Sequence, residues 1–382
     1  MKFLTAHKRL RDVRYNFQYR TGKIKKRTKG RSFYYDAEWK KVNYWIEKQS
    51  KKGLQVALIN KRKKGLVLTL PEVMNFYNDY DKTTMHINAI RILSERKGYP
   101  DPSYKLAAVN FSQLKKISTS AALVLTAELS KWDDAIRQRL RPNTEGWDKT
   151  ILKQFYDLGF FELFKKSSEN EIKITPSPDK GIKFVKYLKG KCGEIAKTKI
   201  LKDEIHNVVG ESISKWTFLH SGLSEAITNV SHHAYPEYAG YEELDKNWYL
   251  TGSYDENKKI IKIVFYDQGV GIPKTLPASE IWERVLTALS KLPKFDKMEE
   301  RQDELLLKAA VELDRTSTNE VDRGKGLQDL LEFIRQRKNG YLSIMSLKGL
   351  YKQELIDGAA KIKTERFSSP ICGTLIVWCA TL

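Results

Sequence analysis

The spacing of apolar residues along the chain changes twice, and each change marks a different region. The first 52 residues show no clean period. From about residue 53 to 168 the pattern alternates between strand and helix. "KLAAVNFSQL" (105–114) reads as a strand, and "STSAALVLTAELSKWDDAIRQRL" (118–140) as a helix capped by Ser118 or Thr119. "WDKTILKQFYDLGFFELF" (147–164) has the three-to-four spacing of a second amphipathic helix. A stretch rich in Lys, Ser and Pro, "KKSSENEIKITPSPDKG" (165–181), predicts a boundary.

Beyond it, "IKFVKYLKGKCGEIAKTKILKDEIHNVVGESI" (182–213) reads as mostly helical, followed by the apolar helix that carries "SEAITNVSHHAY" (224–235). "NWYLTGSYDENKKIIKIVFYD" (247–267) predicts a hairpin turning at Asp-Glu-Asn-Lys. "QGVGIP", some fifty mainly helical polar residues, the helix "DRGKGLQDLLEFIRQR" (322–337) and a closing strand "GTLIVWCATL" (373–382) complete the pattern. The expected fold class is α/β, an α+β sandwich. Three segments are expected: a basic arm over 1–52, an α/β domain over 53–168 and a second domain over 183–382.

One helix departs from a simple amphipathic design. Glu225, Asn229 and His233 follow at i, i+4 and i+8, and a four-residue step drifts only about 40° around a helix, so the three share one face. Leu223, Ala226, Ile227, Val230 and Ala234 supply the apolar remainder. A carboxylate, a carboxamide and an imidazole on one stripe beside a core point to chemistry.

Composition narrows the setting. With 382 residues, 41% of them hydrophobic, the chain is long enough for two cores. Cys192, Cys372 and Cys379 lack paired spacing, which argues against a disulfide framework or zinc site and for a reducing compartment. No apolar run reaches the about 18 residues of a membrane span, and no signal-peptide pattern opens the chain, so a soluble, cytoplasmic protein is expected.

The net charge of +21 is concentrated: residues 1–65 hold 21 Lys or Arg against 4 Asp or Glu. Interleaved with Tyr, Phe and Trp, that arm has the ingredients of a surface for nucleic acid or another acidic partner. A solvated arm packed by its own aromatics is the alternative.

Four short stretches in order suit a nucleotide. The stripe comes first, then "DQGVGIP" with Asp267 ending a strand before Gly269 and Gly271. "RGKGL" follows, with Gly324 and Gly326 opening a helix, and Gly373-Thr374 begins the final strand. A strand-end aspartate accepts a hydrogen bond from adenine's amine, where guanine would present an oxygen instead. Glycines allow close backbone approach, and a glycine pair at a helix start offers amides and a positive dipole end to phosphates. A carboxamide oxygen suits Mg²⁺, and a nearby carboxylate can orient or deprotonate a nucleophile.

Over residues 183–382 this set resembles the GHKL (Bergerat-fold) ATP-binding domain of gyrase, heat-shock chaperones, mismatch-repair proteins, histidine kinases and anti-sigma-factor kinases. "EAITNVSHHAY" is most similar to the anti-sigma-factor kinase form. The resemblance implies a mixed sheet backed by helices, ATP and Mg²⁺ as cofactors, Glu225 as catalytic base and Asn229 as metal ligand. It implies nucleotide contacts from Asn229, His233, Asp267, Gly269, Gly271, Ile272, Gly324, Lys325, Gly326, Leu327 and Thr374, with the polar stretch 274–323 as the lid. The 52 residues between Gly271 and Gly324 exceed a minimal lid.

His206 lies too close to Glu225 to be expected as a kinase phospho-acceptor on a preceding hairpin, and with eight residues after Thr374 no transducer domain is expected. The 53–168 region resembles, more weakly, the STAS fold of anti-sigma-factor antagonists, whose acceptor serine would fall at Ser118, Thr119 or Ser120. The glycine that usually follows is replaced by Ala121 and Ala122.

The function expected from this resemblance is an ATP-dependent regulatory switch, a slow ATPase or serine-kinase-like enzyme with a protein partner. Its alternative is a sensor or effector that binds nucleic acid through residues 1–65 and in which ATP binding only gates conformation. No membrane partner is expected, and a homodimer is compatible with the sequence.

Overall fold

The structure, a computed structural model, describes residues 42–59, 65–94, 106–131, 144–164, 181–210, 215–278, 282–290, 302–313 and 327–382. The basic run over 1–41 and the Gly324-Lys325-Gly326 triplet lie outside the described residues. Two compact units divide the chain, Met1–Val56 and Ala57–Leu382. In the first, a helix (α1, 42–50) buries Val42 and ends in a turn at Gly53, whose φ of 98° is open to glycine alone at little cost. Strand β1 (Gln55–Ile59) straddles the division.

The second unit opens with β2 (Gly65–Thr69), which pairs in parallel with β4 (Leu106–Asn110). The two-residue β3 (Val73–Met74) pairs in parallel with β5 (Lys116–Ile117). Between them runs α2 (Tyr80–Ser94). Helix α3 (Thr119–Ser130) starts where the Ser118 hydroxyl accepts the Ala121 amide at 3.2 Å. Every α3 residue from Ala121 on is buried, as a helix apolar on nearly all sides requires. Helix α4 (Lys149–Asp157), capped by Asp148, packs Phe155 into an aromatic group with Phe111, Trp147 and Phe160, whose Phe111 and Trp147 rings stack at 4.1 Å.

The main sheet has five strands in the order β6 (Ile182–Lys191), β7 (Asn247–Asp255), β8 (Ile260–Asp267), β10 (Ala359–Thr381), β9 (Gly340–Ile356). All neighbours are antiparallel. The β7–β8 hairpin forms as its turn residues and β-branched, aromatic second strand predict. The helical expectation for 182–191 is corrected: that segment is the edge strand β6. Its register slips between Val185 and Leu188, so its apolar residues lose the period of two that would have marked a strand.

Alternate residues split the sheet into two faces. Trp248, Leu250, Ile263, Phe265, Ile344, Ile376 and Trp378 face α5 (Lys197–Val209), α6 (Trp216–Asn229) and α10 (Leu327–Arg335) in one continuous core. The Trp378 indole donates to the Leu330 carbonyl at 2.7 Å, so one of the two buried tryptophans of this core is also satisfied. On the opposite face lie Tyr249, Ser253 and Tyr266. There α3 bonds the sheet through Thr119 to Ser253 (3.0 Å) and Ser130 to Tyr249 (2.9 Å). The fold is therefore mixed α/β, with helices on both faces of one sheet. The regions 53–168 and 183–382 are separate along the chain, yet in space α3 is an outer layer of the C-terminal sheet.

The stretch expected to form a lid is in part core. After the short α7 (Ile272–Thr275), helices α8 (Trp282–Ser290) and α9 (Asp303–Leu313) share a small cluster of Leu276, Val285, Leu289, Leu306 and Ala310. Leu307 and Val311 of α9 belong to the main core, and Asp303 accepts the Lys348 amide of β9 at 3.1 Å. These apolar anchors fix α9 to the sheet; the rest of the stretch expected as a lid lies partly outside the described residues. Among the described residues no helix is long and apolar enough to cross a membrane.

Candidate functional site

The loop after β8 is built around a buried carboxylate. Asp267 is 4% exposed, and its Oδ1 accepts the Gly269 amide at 2.8 Å. Strand pairing sets Thr374 beside it, and the backbone and hydroxyl of Thr374 also bond the carboxylate. Burial outweighs these hydrogen bonds and raises the Asp267 pKa from 3.8 to about 7. A carboxylate poised at neutrality in a strand-end turn is unusual for a purely structural group.

Ser346, on β9, completes a row across three strands, since Thr374 pairs with Asp267 on one side and Ser346 on the other. Its hydroxyl accepts the Ile272 amide at 3.0 Å, contacts the Thr374 hydroxyl at 3.2 Å and donates to the Gly373 carbonyl at 3.0 Å. Nothing local in the sequence marks Ser346; only the β9–β10 register brings it to the site.

The stripe on α6 reaches the same place. Its α-helical part stops at Asn229, and residues Val230–Ala234 form a π turn. The Ala234 carbonyl accepts the Val270 amide at 2.8 Å, fastening the end of that turn to the Asp267 loop. Tyr235 adds a second tie. Its hydroxyl donates to the Asn247 carbonyl (2.6 Å) and accepts the Gln268 amide (3.1 Å). Tyr235 closes the quoted stretch, but its role depends on β7, which the sequence does not place beside it.

Within the stripe, the Asn229 Nδ2 donates to Glu225 Oε1 at 2.9 Å. A carboxylate only accepts, so the amide must turn its nitrogen to Glu225, which leaves the Asn229 carbonyl oxygen as the hard donor suited to Mg²⁺. Both residues are half-buried. His233 is exposed in the π turn, where the wider winding takes it off the even i, i+4 progression expected of a regular helix.

Both loop glycines are dictated by protein contacts. A Cβ on Gly269 would lie 2.3 Å from the Ala234 carbonyl oxygen and 2.6 Å from the Ala234 Cβ, and Gly271, at φ 88°, would press one on the Ser346 hydroxyl at 2.7 Å. Gly269→Ala is accordingly expected to lower stability by about 1–3 kcal/mol, because rigid backbone and a methyl must move together. Chemical denaturation should show a lower midpoint with an unchanged slope.

Gln268 links the loop to the opposite face of the sheet. Its Nε2 donates to Glu128 Oε1 of α3 at 2.7 Å. Glu128 also receives Arg91 of α2 and the Tyr266 hydroxyl (3.3 Å). Burial works against the Glu128 charge, but the Arg91 guanidinium and the hydrogen bonds from Arg91 and Gln268 hold its pKa below the ordinary carboxylate value.

Of the expected site residues, the fold therefore gathers Asp267, Gly269, Gly271, Ile272 and Thr374 around one loop, with the α6 stripe tied to it through Ala234. Gly324, Lys325 and Gly326 lie outside the described residues. Leu327 is described only as the first residue of α10, which packs along α6. All three cysteines are free, and burial pushes the Cys372 thiol, beside the Gln268 carbonyl, up to about 11. No protein-family model matches the chain, and a search of curated proteins returned no match.

Proposed function

We propose that the chain is a Mg-ATP-binding protein of the GHKL (Bergerat-fold) type, acting as an ATP-dependent switch with slow ATPase or serine-kinase-like activity on a protein partner. In this reading α2 and α3 form a STAS-like layer over the nucleotide domain. The observation that carries it is the Val270-to-Ala234 hydrogen bond, which fastens the helix of Glu225 and Asn229 to the loop of Asp267. Two sequence-distant motifs that one nucleotide would have to bridge thus meet at one end of the sheet.

The residues present fit such a ligand. Asp267 would accept from the adenine amine with Thr374 beside it, and the free carbonyl oxygen of Asn229 would ligate Mg²⁺ held with the phosphates. The metal would supply charge neutralisation to the phosphates when bound. Glu225, already oriented by Asn229, would hold or take the proton of the attacking hydroxyl or water.

Asp267→Asn tests the assignment. The amide presents a donor or a misoriented acceptor, and ATP affinity measured by calorimetry should fall by about 10- to 100-fold, on the order of 1–3 kcal/mol. Unchanged affinity would remove Asp267 from the adenine site.

The pH dependence is a second test with two opposite signs. The ordinary aspartate value is 3.8, so between that pH and about 7 the unfolded chain ionises Asp267 while the fold keeps it protonated. Stability without nucleotide should therefore decline as pH rises through this window, by up to about 1.4 kcal/mol per unit. ATP affinity should rise over the upper part of the same window, because the ionised carboxylate is the better acceptor. In Asp267→Asn both dependences should flatten.

A further inference from the structure

A cavity of about 320 Å³ opens on the sheet face turned away from α5, α6 and α10. Its sheet wall is Lys262 of β8, Ser343 of β9 and Val377 of β10, and Ser118 and Ser120 stand across from them at the start of α3. None of these residues belongs to the Asp267 site, whose side chains point to the other face.

Three features distinguish this cavity from a solvated crevice. The first is Ser343, a lining residue only 4% exposed, whose buried hydroxyl has no hydrogen-bond partner. A buried hydroxyl left unpaired is costly, and a ligand acceptor would relieve it.

The second is charge. Lys352 pairs with Glu354 (3.2 Å) and Lys363 with Glu365 (2.6 Å), but no carboxylate among the described residues lies within ion-pair reach of Lys262. The lining therefore carries one cation more than it balances, at a place where the opening turn of the twelve-residue α3 adds its own positive dipole end.

The third is the shape of the apolar wall. The Lys352 ammonium, on a residue 6% exposed, is held 5.0 Å from the Tyr77 ring and 4.5 Å from the Tyr341 ring. Lys352 thus covers one side of each tyrosine ring, and Phe76 and Phe367 add aromatic surface to the lining; aromatic surface and one surplus cation together match a flat, singly charged anion. The volume, at the low end for ligand pockets, limits the ligand to roughly one ring with a short substituent.

We propose that this cavity is a second ligand site that takes a small aromatic monocarboxylate. The carboxylate would meet Lys262 and the Ser343 hydroxyl, and the ring would lie against the aromatic lining that Lys352 leaves uncovered. This site is independent of the nucleotide reading, since it shares no residue with it.

The test is titration of the full chain with benzoate, 4-hydroxybenzoate, benzamide and phenyl phosphate, followed by ligand-observed NMR and calorimetry. Benzoate or 4-hydroxybenzoate should bind at least about 10-fold more tightly than benzamide, as one charge pair in a partly desolvated site predicts. Lys262→Met, which keeps the aliphatic stem, should abolish that preference, and Ser120→Glu should weaken the carboxylates by electrostatic repulsion. Asp267→Asn should bind benzoate like the parent, so failure here and failure of the nucleotide assignment are separable.

Equal binding of benzamide and benzoate, carboxylate binding indifferent to Lys262→Met, or no saturable binding of either carboxylate would each overturn the proposal. Tighter binding of phenyl phosphate than of benzoate would overturn the monocarboxylate assignment in favour of a phosphate ester.

Discussion

Glu128→Ala should destabilise the protein by about 3–5 kcal/mol at neutral pH, the cost of removing one partner from a buried ion pair. The substitution strands the Arg91 guanidinium and takes the acceptor from both the Tyr266 hydroxyl and the Gln268 amide. Glu128→Gln, which keeps volume and one acceptor, should lose less. Arg91→Met combined with Glu128→Leu should recover most of the deficit, since the charges leave together and only neutral donors remain unpaired. Equilibrium unfolding of the four proteins decides the matter; equal losses for the single and the double variants would mean that packing, not charge, holds this layer.

The sign of the pH dependence follows from the lowered Glu128 value. Its folded pKa lies below the ordinary 4.5, so the stabilisation is present above that pH and is lost as pH falls through the folded value. The parent should lose stability in acid more steeply than the Arg91→Met, Glu128→Leu protein. Because Gln268 adjoins Asp267, Glu128→Ala should also weaken nucleotide binding, by less than it weakens the fold.

Glu225→Ala is expected to cut phosphate release or transfer by about 10²-fold or more, while ATP affinity stays within a few fold. The separation arises because Glu225 would act on the nucleophile, whereas binding would rest on Asp267, Thr374 and the metal. Asn229→Ala should weaken ATP binding chiefly when Mg²⁺ is present, because its carbonyl oxygen is offered to the metal. It should also remove one hydrogen bond from Glu225, whose oxygen accepts the Asn229 amide at 2.9 Å. Single-turnover assays with and without Mg²⁺ distinguish the two. Magnesium-independent losses of equal size would indicate that both substitutions only disturb α6, whose Leu223, Ala226 and Ile227 are core residues.

Wherever a segment carries its own instructions, reading the chain was sufficient. Ser118 followed by "TSAALVLTAELS" contains both a cap and a run too apolar for anything but a buried helix, and α3 begins there. The β7–β8 hairpin and the Asp267-to-Gly271 loop are similarly local, a turn or glycine signal attached to a β-branched strand. Even the Glu225–Asn229 contact is a property of one helix, set by four-residue spacing alone.

What the residues could not announce is decided by partners distant in the chain. Strand β6 hides its period behind a bulge, and the long β9 with the first half of β10 is too mixed in polarity to read as sheet without its pairing. The π turn that exposes His233 is settled by Val270 and Gly269 closing on Ala234. Ser346 joins Thr374 only through the β9–β10 register, and Glu128 reaches Gln268 only because α3 lies across the sheet. Composition, caps and turns thus determined which segments are helix, hairpin or glycine loop, since those energies are spent within a few residues. The layering of α3 on the sheet, the partners of Asp267 and the lone Ser343 hydroxyl arose only from tertiary packing, because burial and hydrogen bonding are decided between segments a hundred or more residues apart.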